Sequence, residues 1–366
     1  MQYRTLPHGG EQISVIGLGN SSMGESGAKE TEATVAMALE NGVNYFDMAA
    51  ADATPFAAFG RAVGSERGKV LYQVHFGATY TSEGGMYGWT LALDEIKRSV
   101  DWQLRELRTD YIDFGFIHCI DEDADLDAAR SEGTIDYLLE LKKQGVVRHI
   151  GMSTHTPEAA HRALDLGILD MLMFSINPAY DYVRGEYGIG TVAGRMELYR
   201  RCEAEGVGIS VMKPFAAGQL LDARTSPFKR ALTSAQCLQY ALDKPAVLTV
   251  LPGVRSREDL KDVLSFLDAG AAERDYSVIG TFAPAEAEGV CVYCNHCQPC
   301  PAGLDVGLIN KYYDLARAGD TLARDHYAHL GKKAGQCLHC GHCDSRCPFH
   351  TRQSERMAEI EAYFGE

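Results

Sequence analysis

A short buried strand is predicted in the stretch Gly145-Val146-Val147-Arg148-His149-Ile150-Gly151-Met152-Ser153, where a glycine is followed by a largely apolar run. Residues 134–144 before it have the apolar spacing typical of an amphipathic helix, and Gly145 is placed to end that helix. A further helix is predicted at residues 156–166. A strand enclosed by two helices in this way favours a parallel sheet, whose strands are buried on both faces.

The same alternation of strand and helix fills residues 1 to about 270. Strands are predicted at 15–19, 44–48, 70–76, 111–118, 149–153, 171–176, 208–213 and 247–251. Other helical patterns include 30–40, 90–107, 194–205, 234–242 and 258–268. Eight strand–helix repeats over this length predict an α/β chain closed into a (β/α)8 TIM barrel. Residues 3–14, with a turn at Gly9-Gly10, are predicted to form a hairpin that plugs the bottom of the barrel.

The length of 366 residues exceeds one typical domain, and three segments are predicted. They are the barrel at 1–270, a linker at 271–288 and a small C-terminal domain at 289–366, with helical patterns at 306–317, 321–330 and 353–363. The formal net charge of −15 disfavours nucleic acid and anionic lipid as partners. Because no apolar run is long enough to cross a bilayer and no signal segment is recognised, a cytoplasmic location is expected.

Eight of the eleven cysteines fall in two short runs near the C-terminus. The first run contains Cys291, Cys294, Cys297 and Cys300, and the second contains Cys337, Cys340, Cys343 and Cys347. Three cysteines spaced three residues apart, followed by a cysteine before a proline, are typical of a module that holds two [4Fe–4S] clusters. Disulfides are disfavoured in a cytosolic protein, and two structural zinc sites, the alternative, would leave part of each run without a role. Cys119, Cys202 and Cys237 lie outside the runs and are predicted to be buried thiols.

In a barrel of this type the chemistry lies at the carboxyl ends of the strands. The residues predicted there are Asn20, Asp47, His75, His118, Ser153, Thr154, His155, Asn177, Lys213, Gly253 and Arg255. Two histidines and a carboxylate facing one mouth predict an acid–base group made by Asp47, His75 and His118. The alternative is that each is a core polar group whose hydrogen bonds are satisfied.

Residues 1 to about 270 resemble the aldo-keto reductase family. The matching motifs are Met1-Gln2-Tyr3-Arg4-Thr5-Leu6, Gly17-Leu18-Gly19, Asn41-Gly42-Val43-Asn44-Tyr45-Phe46-Asp47, Thr109-Asp110-Tyr111-Ile112-Asp113, the stretch from Gly145 to Ser153, Met212-Lys213-Pro214-Phe215 and Leu251-Pro252-Gly253-Val254. The whole chain resembles the subgroup of that family with a C-terminal two-cluster ferredoxin-like extension. This resemblance implies that Cys291, Cys294 and Cys297 bind one cluster with Cys347, and that Cys337, Cys340 and Cys343 bind the other with Cys300. Two residues precede Cys300 where bacterial ferredoxins have three.

The resemblance implies carbonyl reduction with NADPH by four residues: an Asp, a Tyr that donates the proton, a Lys that lowers the Tyr pKa, and a His. Asp47 and His118 match, whereas Asp52 occupies the Tyr position and His75 the Lys position. A carboxylate and an imidazole cannot rebuild a phenol–ammonium pair. The predicted catalytic residues are therefore Asp47, Asp52, His75 and His118, working as a new acid–base group. The alternative is a scaffold that has lost its catalytic function.

The resemblance also implies a nicotinamide dinucleotide lying across the barrel mouth. The residues where such a site would lie are Lys213, Phe215, Gly218, Gly253, Arg255, Ser256 and Arg257. The guanidinium groups of Arg255 and Arg257 suit a 2′-phosphate, and the alternative is a surface salt bridge to Glu258 or Asp259. NADP(H) and two [4Fe–4S] clusters are thus both candidate cofactors, although a hydride carries two electrons and a cluster transfers one.

These observations together predict a cytoplasmic oxidoreductase. In the favoured interpretation, two [4Fe–4S] clusters relay electrons from a ferredoxin or another redox protein to a small organic substrate. The Asp/His group and neighbouring tyrosines such as Tyr180 would then protonate that substrate at the barrel mouth. The alternatives are an NADPH-dependent carbonyl reductase with accessory clusters, a non-redox lyase or hydratase, and a non-catalytic electron-transfer subunit. Neither nucleic acid nor a membrane is an expected partner.

Overall fold

The computed structural model describes residues 1–80, 85–182, 189–281, 288–291, 293, 296–317, 321–347 and 349–365. The strands are β1 (Tyr3–Thr5), β2 (Gln12–Ser14), β3 (Leu18–Gly19), β4 (Tyr45–Asp47), β5 (Leu71–Phe76), β6 (Ala78–Thr79), β7 (Gly88–Trp89), β8 (Ile112–Ile117), β9 (Val147–Thr154), β10 (Met171–Ser175), β11 (Gly208–Met212) and β12 (Val247–Leu251). The helices are α1 (Gly27–Glu40), α2 (Thr54–Val63), α3 (Leu93–Glu106), α4 (Asp123–Ser131), α5 (Thr134–Lys143), α6 (Pro157–Leu164), α7 (Pro178–Tyr182), α8 (Val192–Ala204), α9 (Ser234–Leu242), α10 (Arg257–Ser265), α11 (Ala271–Arg274), α12 (Val306–Arg317), α13 (Thr321–Ala328), α14 (His342–Arg346) and α15 (Gln353–Phe364).

Eight parallel strands form the central sheet in the order β12-β11-β10-β9-β8-β5-β4-β3. Two parallel bridges, from Ile16 to Val250 and from Gly19 to Gly253, connect the first strand to the last. The edges of the sheet are therefore brought together, and helices alternate with the strands along the chain. The predicted (β/α)8 barrel is confirmed, with all eight strands within a few residues of their predicted bounds.

The N-terminal hairpin closes the bottom of the barrel, as predicted. β1 pairs antiparallel with β2, with Tyr3 opposite Ser14. Leu6 and Ile13 are completely buried and join the apolar cluster that fills the barrel interior. The Arg4 guanidinium donates a hydrogen bond to the carbonyl oxygen of Val247, at the amino end of β12. The opposite end, where the strands have their carboxyl ends, is left as the mouth.

Two elements beside the mouth do not follow from the sequence patterns. α2 is apolar on most of its surface, with Pro55, Phe56, Phe59 and Val63 all buried, so it lacks the polar face that marks a surface helix. The β6–β7 hairpin follows β5, and each of its strands has only two residues, too few for an alternating pattern to be recognised. This hairpin matters because it carries residues 85–89 to the mouth.

The C-terminal residues build a second, smaller core. Leu304, Val306, Ile309, Tyr327 and Met357 are among its buried members. α12, α13 and α15 lie where helical patterns predicted them.

The same segment also contacts the barrel. The phenol oxygen of Tyr293 accepts a hydrogen bond from Arg200 of α8 at 2.8 Å, and Phe349 stacks on Tyr182 with ring centroids 5.7 Å apart. Within the predicted linker, residues 271–274 form α11 and Tyr276 is buried, whereas residues 282–287 lie outside the described part of the chain. The division into three segments stays a prediction. Within the described residues, no helix combines the length and apolar character needed to cross a membrane.

Candidate active site

Three of the predicted catalytic residues, Asp47, His75 and His118, meet at the carboxyl ends of β4, β5 and β8. His75 Nε2 lies 2.6 Å from Asp47 Oδ1, and His118 Nδ1 lies 2.8 Å from His75 Nδ1. These strands are neighbours in the sheet, which explains why residues far apart in sequence converge here. All three side chains are buried. The barrel therefore builds a compact acid–base group at its mouth.

Gln73 sets the direction of the hydrogen bonds in this group. Its Oε1 accepts from the hydroxyl groups of Tyr45 at 2.7 Å and Ser210 at 2.9 Å, so its amide nitrogen faces Asp47 Oδ1 at 2.9 Å. Asp47 thus accepts hydrogen bonds from both Gln73 and His75, as a carboxylate does. It follows that His75 carries its proton on Nε2 and accepts through Nδ1.

A tyrosine from the β6–β7 hairpin extends the chain of hydrogen bonds. Tyr87 Oη lies 2.9 Å from His118 Nε2. Because His118 donates through Nδ1 to His75, its Nε2 is left to accept the phenol proton. Trp89, two residues further on, donates from its indole nitrogen to the carbonyl oxygen of His118 at 3.0 Å and so fixes the hairpin over the histidine. Tyr87 is 41% exposed, so the chain runs from a solvent-facing phenol to the buried carboxylate of Asp47.

The electrostatic surroundings keep the His118–Tyr87 contact neutral on both sides. Burial, followed by the neighbouring His75, holds the pKa of His118 well below its ordinary value. Burial also raises the pKa of Tyr87 to about 12, and the nearby Cys119 and Asp121 add to this shift. At neutral pH an uncharged imidazole therefore faces a protonated phenol, which is the pairing that their hydrogen bond requires.

Asp52, the fourth predicted catalytic residue, has a different environment. Its Oδ1 accepts a hydrogen bond from the backbone N–H of Thr54 at 2.7 Å, at the start of α2. Its backbone forms an antiparallel bridge with Met86, and the N–H of Tyr87 donates to the carbonyl oxygen of Ala51 at 2.9 Å. The segment that holds Asp52 therefore supports the hairpin that carries Tyr87.

A second polar group lies beside the first, at the ends of β8, β9 and β11. Cys119 Sγ donates to Asp121 Oδ2 at 3.6 Å, and His155 Nδ1 lies 3.0 Å from the same oxygen. Lys213 Nζ lies 2.9 Å from His155 Nε2. Cys119 is half-buried, so it is not the buried thiol that was predicted. Its backbone has a left-handed φ of +53°.

Other residues predicted at the mouth have structural partners. Ser153 Oγ accepts a hydrogen bond from the backbone N–H of Cys119 at 2.8 Å. Asn177 donates to the carbonyl oxygen of Lys213 at 2.8 Å and accepts from the backbone N–H of Tyr180 at 2.9 Å. These contacts link neighbouring strand ends and stiffen the rim.

The glycines predicted to bind a nicotinamide dinucleotide leave open space on the loops after β11 and β12. A Cβ atom added at Gly218 or Gly253 would meet no atom within 4 Å. Gly218 has a φ of +86° and donates its N–H to the carbonyl oxygen of Phe215 at 3.0 Å. A ligand's phosphate or ring can therefore approach the backbone closely at both glycines.

The two arginines predicted to bind a 2′-phosphate are engaged in surface ion pairs. Arg255 Nε lies 3.2 Å from Asp259 Oδ2, and Arg257 Nη2 lies 2.9 Å from Glu30 Oε2. Both guanidinium groups are more than half exposed. Exposed pairs of this kind contribute little to stability, so both arginines remain able to bind another anion.

Comparison with known proteins assigns the barrel to a protein family. A family model described as "Aldo/keto reductase family" matches residues 15–233. The chain belongs to this family. It is similar to L-galactose dehydrogenase of Arabidopsis thaliana, with 25% identity over 296 residues that cover 72% of this chain and 86% of that protein. It is also similar to methylglyoxal reductase DkgB of Salmonella typhimurium, with 33% identity over 193 residues that cover 52% of this chain and 67% of that protein.

A solved relative agrees with the assignment. The holo form of aldo-keto reductase AKR11C1 from Bacillus halodurans aligns with a TM-score of 0.62 and 25% identity, and the alignment covers 78% of this chain and 97% of that one. The chain is accordingly an oxidoreductase of the aldo-keto reductase type.

These comparisons contradict the prediction of two [4Fe–4S] clusters. Aldo-keto reductases use NADP(H), and the family model ends at residue 233, before both cysteine runs. The comparisons support the family and give no support to a ferredoxin-like subgroup. Iron–sulfur clusters are therefore not retained as cofactors of this chain.

The thiols of the two runs agree with the correction. Cys300, Cys337, Cys340 and Cys343 line one small apolar cavity, and Cys294 lies outside the described residues. Among the described cysteines, no three thiols of the runs have their sulfur atoms within 4.8 Å of one another. Burial raises the pKa of Cys291 and Cys337, and raises that of Cys343 to about 11. Cys202 and Cys237 are buried, as predicted.

Tyr87 is the residue of the site that sequence patterns miss. It lies in Gly84-Gly85-Met86-Tyr87-Gly88-Trp89, between a predicted strand and a predicted helix. Two aromatic residues in a glycine-rich segment at the carboxyl end of a barrel strand are the available signal, because such loops carry function in this fold.

Proposed function

We propose that this chain reduces the carbonyl group of a small organic molecule with NADPH. The observation that carries the proposal is the unbroken chain of hydrogen bonds from Tyr87 through His118 and His75 to Asp47. It supplies a phenol at the barrel mouth although the family's Tyr position is occupied by Asp52. This function is the carbonyl reductase that was one of the alternatives from the sequence, without the accessory clusters.

The residues around β12 fit the phosphate groups of NADPH. α10 begins four residues after the open backbone of Gly253, and Ser256 is its N-cap. The backbone N–H groups at a helix N-terminus favour phosphate, and Arg255 and Arg257 flank this one with exchangeable ion pairs. The bound dinucleotide would supply the hydride that is added to the carbonyl carbon.

The histidine chain would hold and move the proton. With the hydrogen-bond directions inferred above, each proton points inward, from Tyr87 to His118, from His118 to His75 and from His75 to Asp47, so the chain is set to accept a proton, as alcohol oxidation requires. When one more proton is bound, every donor and acceptor is exchanged. In that state Asp47 is protonated and donates a hydrogen bond to His75, and His75 donates to His118. His118 donates to the Tyr87 oxygen, and the Tyr87 hydroxyl donates to the substrate oxygen. Carbonyl reduction uses this second state.

The arrangement replaces the family's Lys by a relay. The raised pKa of Tyr87, about 12, means that the phenol remains protonated at neutral pH but is a weak acid by itself. His118 would give a proton to Tyr87 as the phenol proton passes to the substrate. No free phenolate then forms, and its negative charge would be disfavoured beside Asp121. Positioned acid–base groups of this kind contribute on the order of 10²–10⁴-fold to a rate.

The experiment is an NADPH titration combined with NADPH oxidation over a panel of small aldehydes and ketones. We expect wild-type protein to bind NADPH and to oxidise it with at least one carbonyl compound. His118→Gln should bind NADPH with unchanged affinity and lose about 100-fold or more in kcat, because it cannot relay a proton. His329→Gln, at an exposed position directly after α13, is the matched control and should behave as wild type.

Two results would overturn the proposal. If NADPH does not bind at millimolar concentration, the barrel does not use the family's cofactor, and a lyase or hydratase becomes the better interpretation. If His118→Gln keeps wild-type kcat, the hydrogen-bond chain has no part in the reaction.

A further inference from the structure

We infer that Cys119, Asp121 and His155 form a binding site for one divalent transition-metal ion, with Zn²⁺ as the best-matched ion. One ligand atom from each residue lies within 4.8 Å of the other two. Within the part of the chain that the structure describes, no other three His, Cys, Asp or Glu side chains bring their ligand atoms this close together. The inference does not depend on the proposed reductase activity.

The distances suit a zinc ion. Zinc–sulfur bonds of about 2.3 Å and zinc–oxygen bonds of about 2.1 Å at tetrahedral angles separate the two ligand atoms by about 3.6 Å. Cys119 Sγ and Asp121 Oδ2 are 3.6 Å apart. The corresponding nitrogen–oxygen separation is about 3.4 Å, and His155 Nδ1 lies 3.0 and 3.3 Å from the two carboxylate oxygens. The two pairs that include Asp121 therefore need to move by only a few tenths of an ångström, and the ligand atoms of Cys119 and His155 lie within 4.8 Å of each other.

Neighbouring groups hold the ligands in place. Asp121 Oδ1 accepts hydrogen bonds from the hydroxyl group of Thr154 at 3.1 Å and from the backbone N–H of His155 at 2.7 Å. Lys213 occupies Nε2 of the His155 ring, which leaves Nδ1 directed at Asp121. Such outer contacts orient the first ligands of protein metal sites and are a usual part of them.

The donor set selects the class of ion. One thiolate, one imidazole and one carboxylate favour zinc or cobalt over calcium and magnesium, which prefer oxygen ligands. Three protein ligands leave a coordination position for water or a substrate atom, and all three residues are only half-buried. On binding, the thiol proton and the His155 Nδ1 proton pass to solvent, and Lys213 gives a proton to Nε2 so that the imidazole stays neutral.

The test is a cobalt titration of the full chain after dialysis against a chelator, followed by absorption spectroscopy, with bound zinc measured separately by elemental analysis. The other cysteines can also bind cobalt, so the informative quantity is the difference between wild type and each variant. We expect Cys119→Ser and His155→Gln each to lose one equivalent of metal, together with the absorption bands of a site with a single thiolate. His161→Gln and Cys340→Ser are controls that should retain those bands.

Retention of wild-type stoichiometry and spectrum in either Cys119→Ser or His155→Gln would overturn the inference. Circular dichroism of both variants shows whether a loss of metal reflects a loss of fold. Both substitutions leave Asp121 and its backbone contacts intact, so the rim should remain folded.

Discussion

At the scale of single residues, the proposed function replaces the family's phenol with that of Tyr87. The family's Tyr position holds Asp52, whose carboxylate binds the Thr54 N–H, while Tyr87 reaches His118 from the following loop. The backbone of residues 51 and 52 pairs with the hairpin that carries Tyr87. Under the proposed function, the position that corresponds to the family's Tyr therefore supports the hairpin that carries the proposed proton donor.

Asp52→Asn should leave catalysis nearly unchanged. An asparagine side chain can still accept the hydrogen bond from Thr54, and the backbone bridge to Met86 is unaffected. We expect kcat with NADPH and the best carbonyl substrate to stay within about threefold of wild type, which is well below the effect of losing an acid–base group. A 100-fold loss would instead give Asp52 the catalytic role that its sequence position predicted.

The residue scale also shows what the sequence can and cannot predict. Asp47, His75 and His118 are predictable because the carboxyl ends of neighbouring parallel strands must converge. Tyr87 is not, because it reaches His118 through a hairpin whose strands are two residues long. Cys119 is predicted to be a buried thiol because its local sequence shows neither the left-handed backbone nor that the Asp121 side chain, two residues further on, turns toward its sulfur atom.

At the scale of elements, the N-terminal hairpin is attached to the barrel by titratable groups. His149 of β9 lies with Nε2 2.8 Å from Glu11 Oε1 and with Nδ1 3.6 Å from Asp170 Oδ2. Burial alone would lower the pKa of His149, but Asp170 and Glu11 outweigh burial, and the net shift is upward. Lys142 also contacts Asp170, at 2.7 Å, and His8 lies 3.9 Å from it.

His149→Gln should therefore reduce stability in a pH-dependent way. A pKa raised by folding contributes stability that is fully present below the unfolded pKa of about 6.5 and is lost as the pH rises through the folded pKa. Urea unfolding should show a gap of about 1 kcal/mol between wild type and variant at pH 5.5, and a smaller gap at pH 8.5. An equal or larger gap at pH 8.5 would show that the charged form of His149 does not stabilise the hairpin.

At the scale of the whole molecule, one charged network fastens the C-terminal segment to the barrel. Arg200 of α8 donates to the phenol oxygen of Tyr293 at 2.8 Å and to Asp314 of α12 at 2.9 Å. Arg356 of α15 binds the other oxygen of Asp314. The barrel and helices α12 and α15 therefore share one partly buried carboxylate.

Arg200→Ala should destabilise the molecule by about 2 kcal/mol, because it removes one of the two charged donors of the buried Asp314 carboxylate and the charged donor of the Tyr293 phenol oxygen. Arg224→Ala is the control, since Arg224 is 87% exposed and pairs only with its neighbour Asp222 in a contact that contributes little. Denaturant unfolding at neutral pH measures both variants. Equal stability of Arg200→Ala and wild type would mean that this network does not hold the C-terminal segment.

The limits of sequence interpretation at this scale lie in the C-terminal segment. Its helices α12, α13 and α15 follow from the spacing of apolar residues. The cysteine spacing suggested clusters, but spacing along a chain does not fix where each sulfur atom lies once the loops have folded. The comparisons give no support to these clusters, and among the described residues no three thiols of the runs come together.

The most direct test of the central claim is the single-turnover rate of NADPH oxidation by Tyr87→Phe, with the affinity for NADPH measured on the same protein. Tyr3→Phe, which removes an exposed phenol from the barrel's opposite end, is the matched control. We predict that Tyr87→Phe slows the turnover by about 100-fold or more, with unchanged NADPH affinity, and that Tyr3→Phe behaves as wild type. A turnover rate for Tyr87→Phe within about threefold of wild type would contradict the claim that Tyr87 donates the proton.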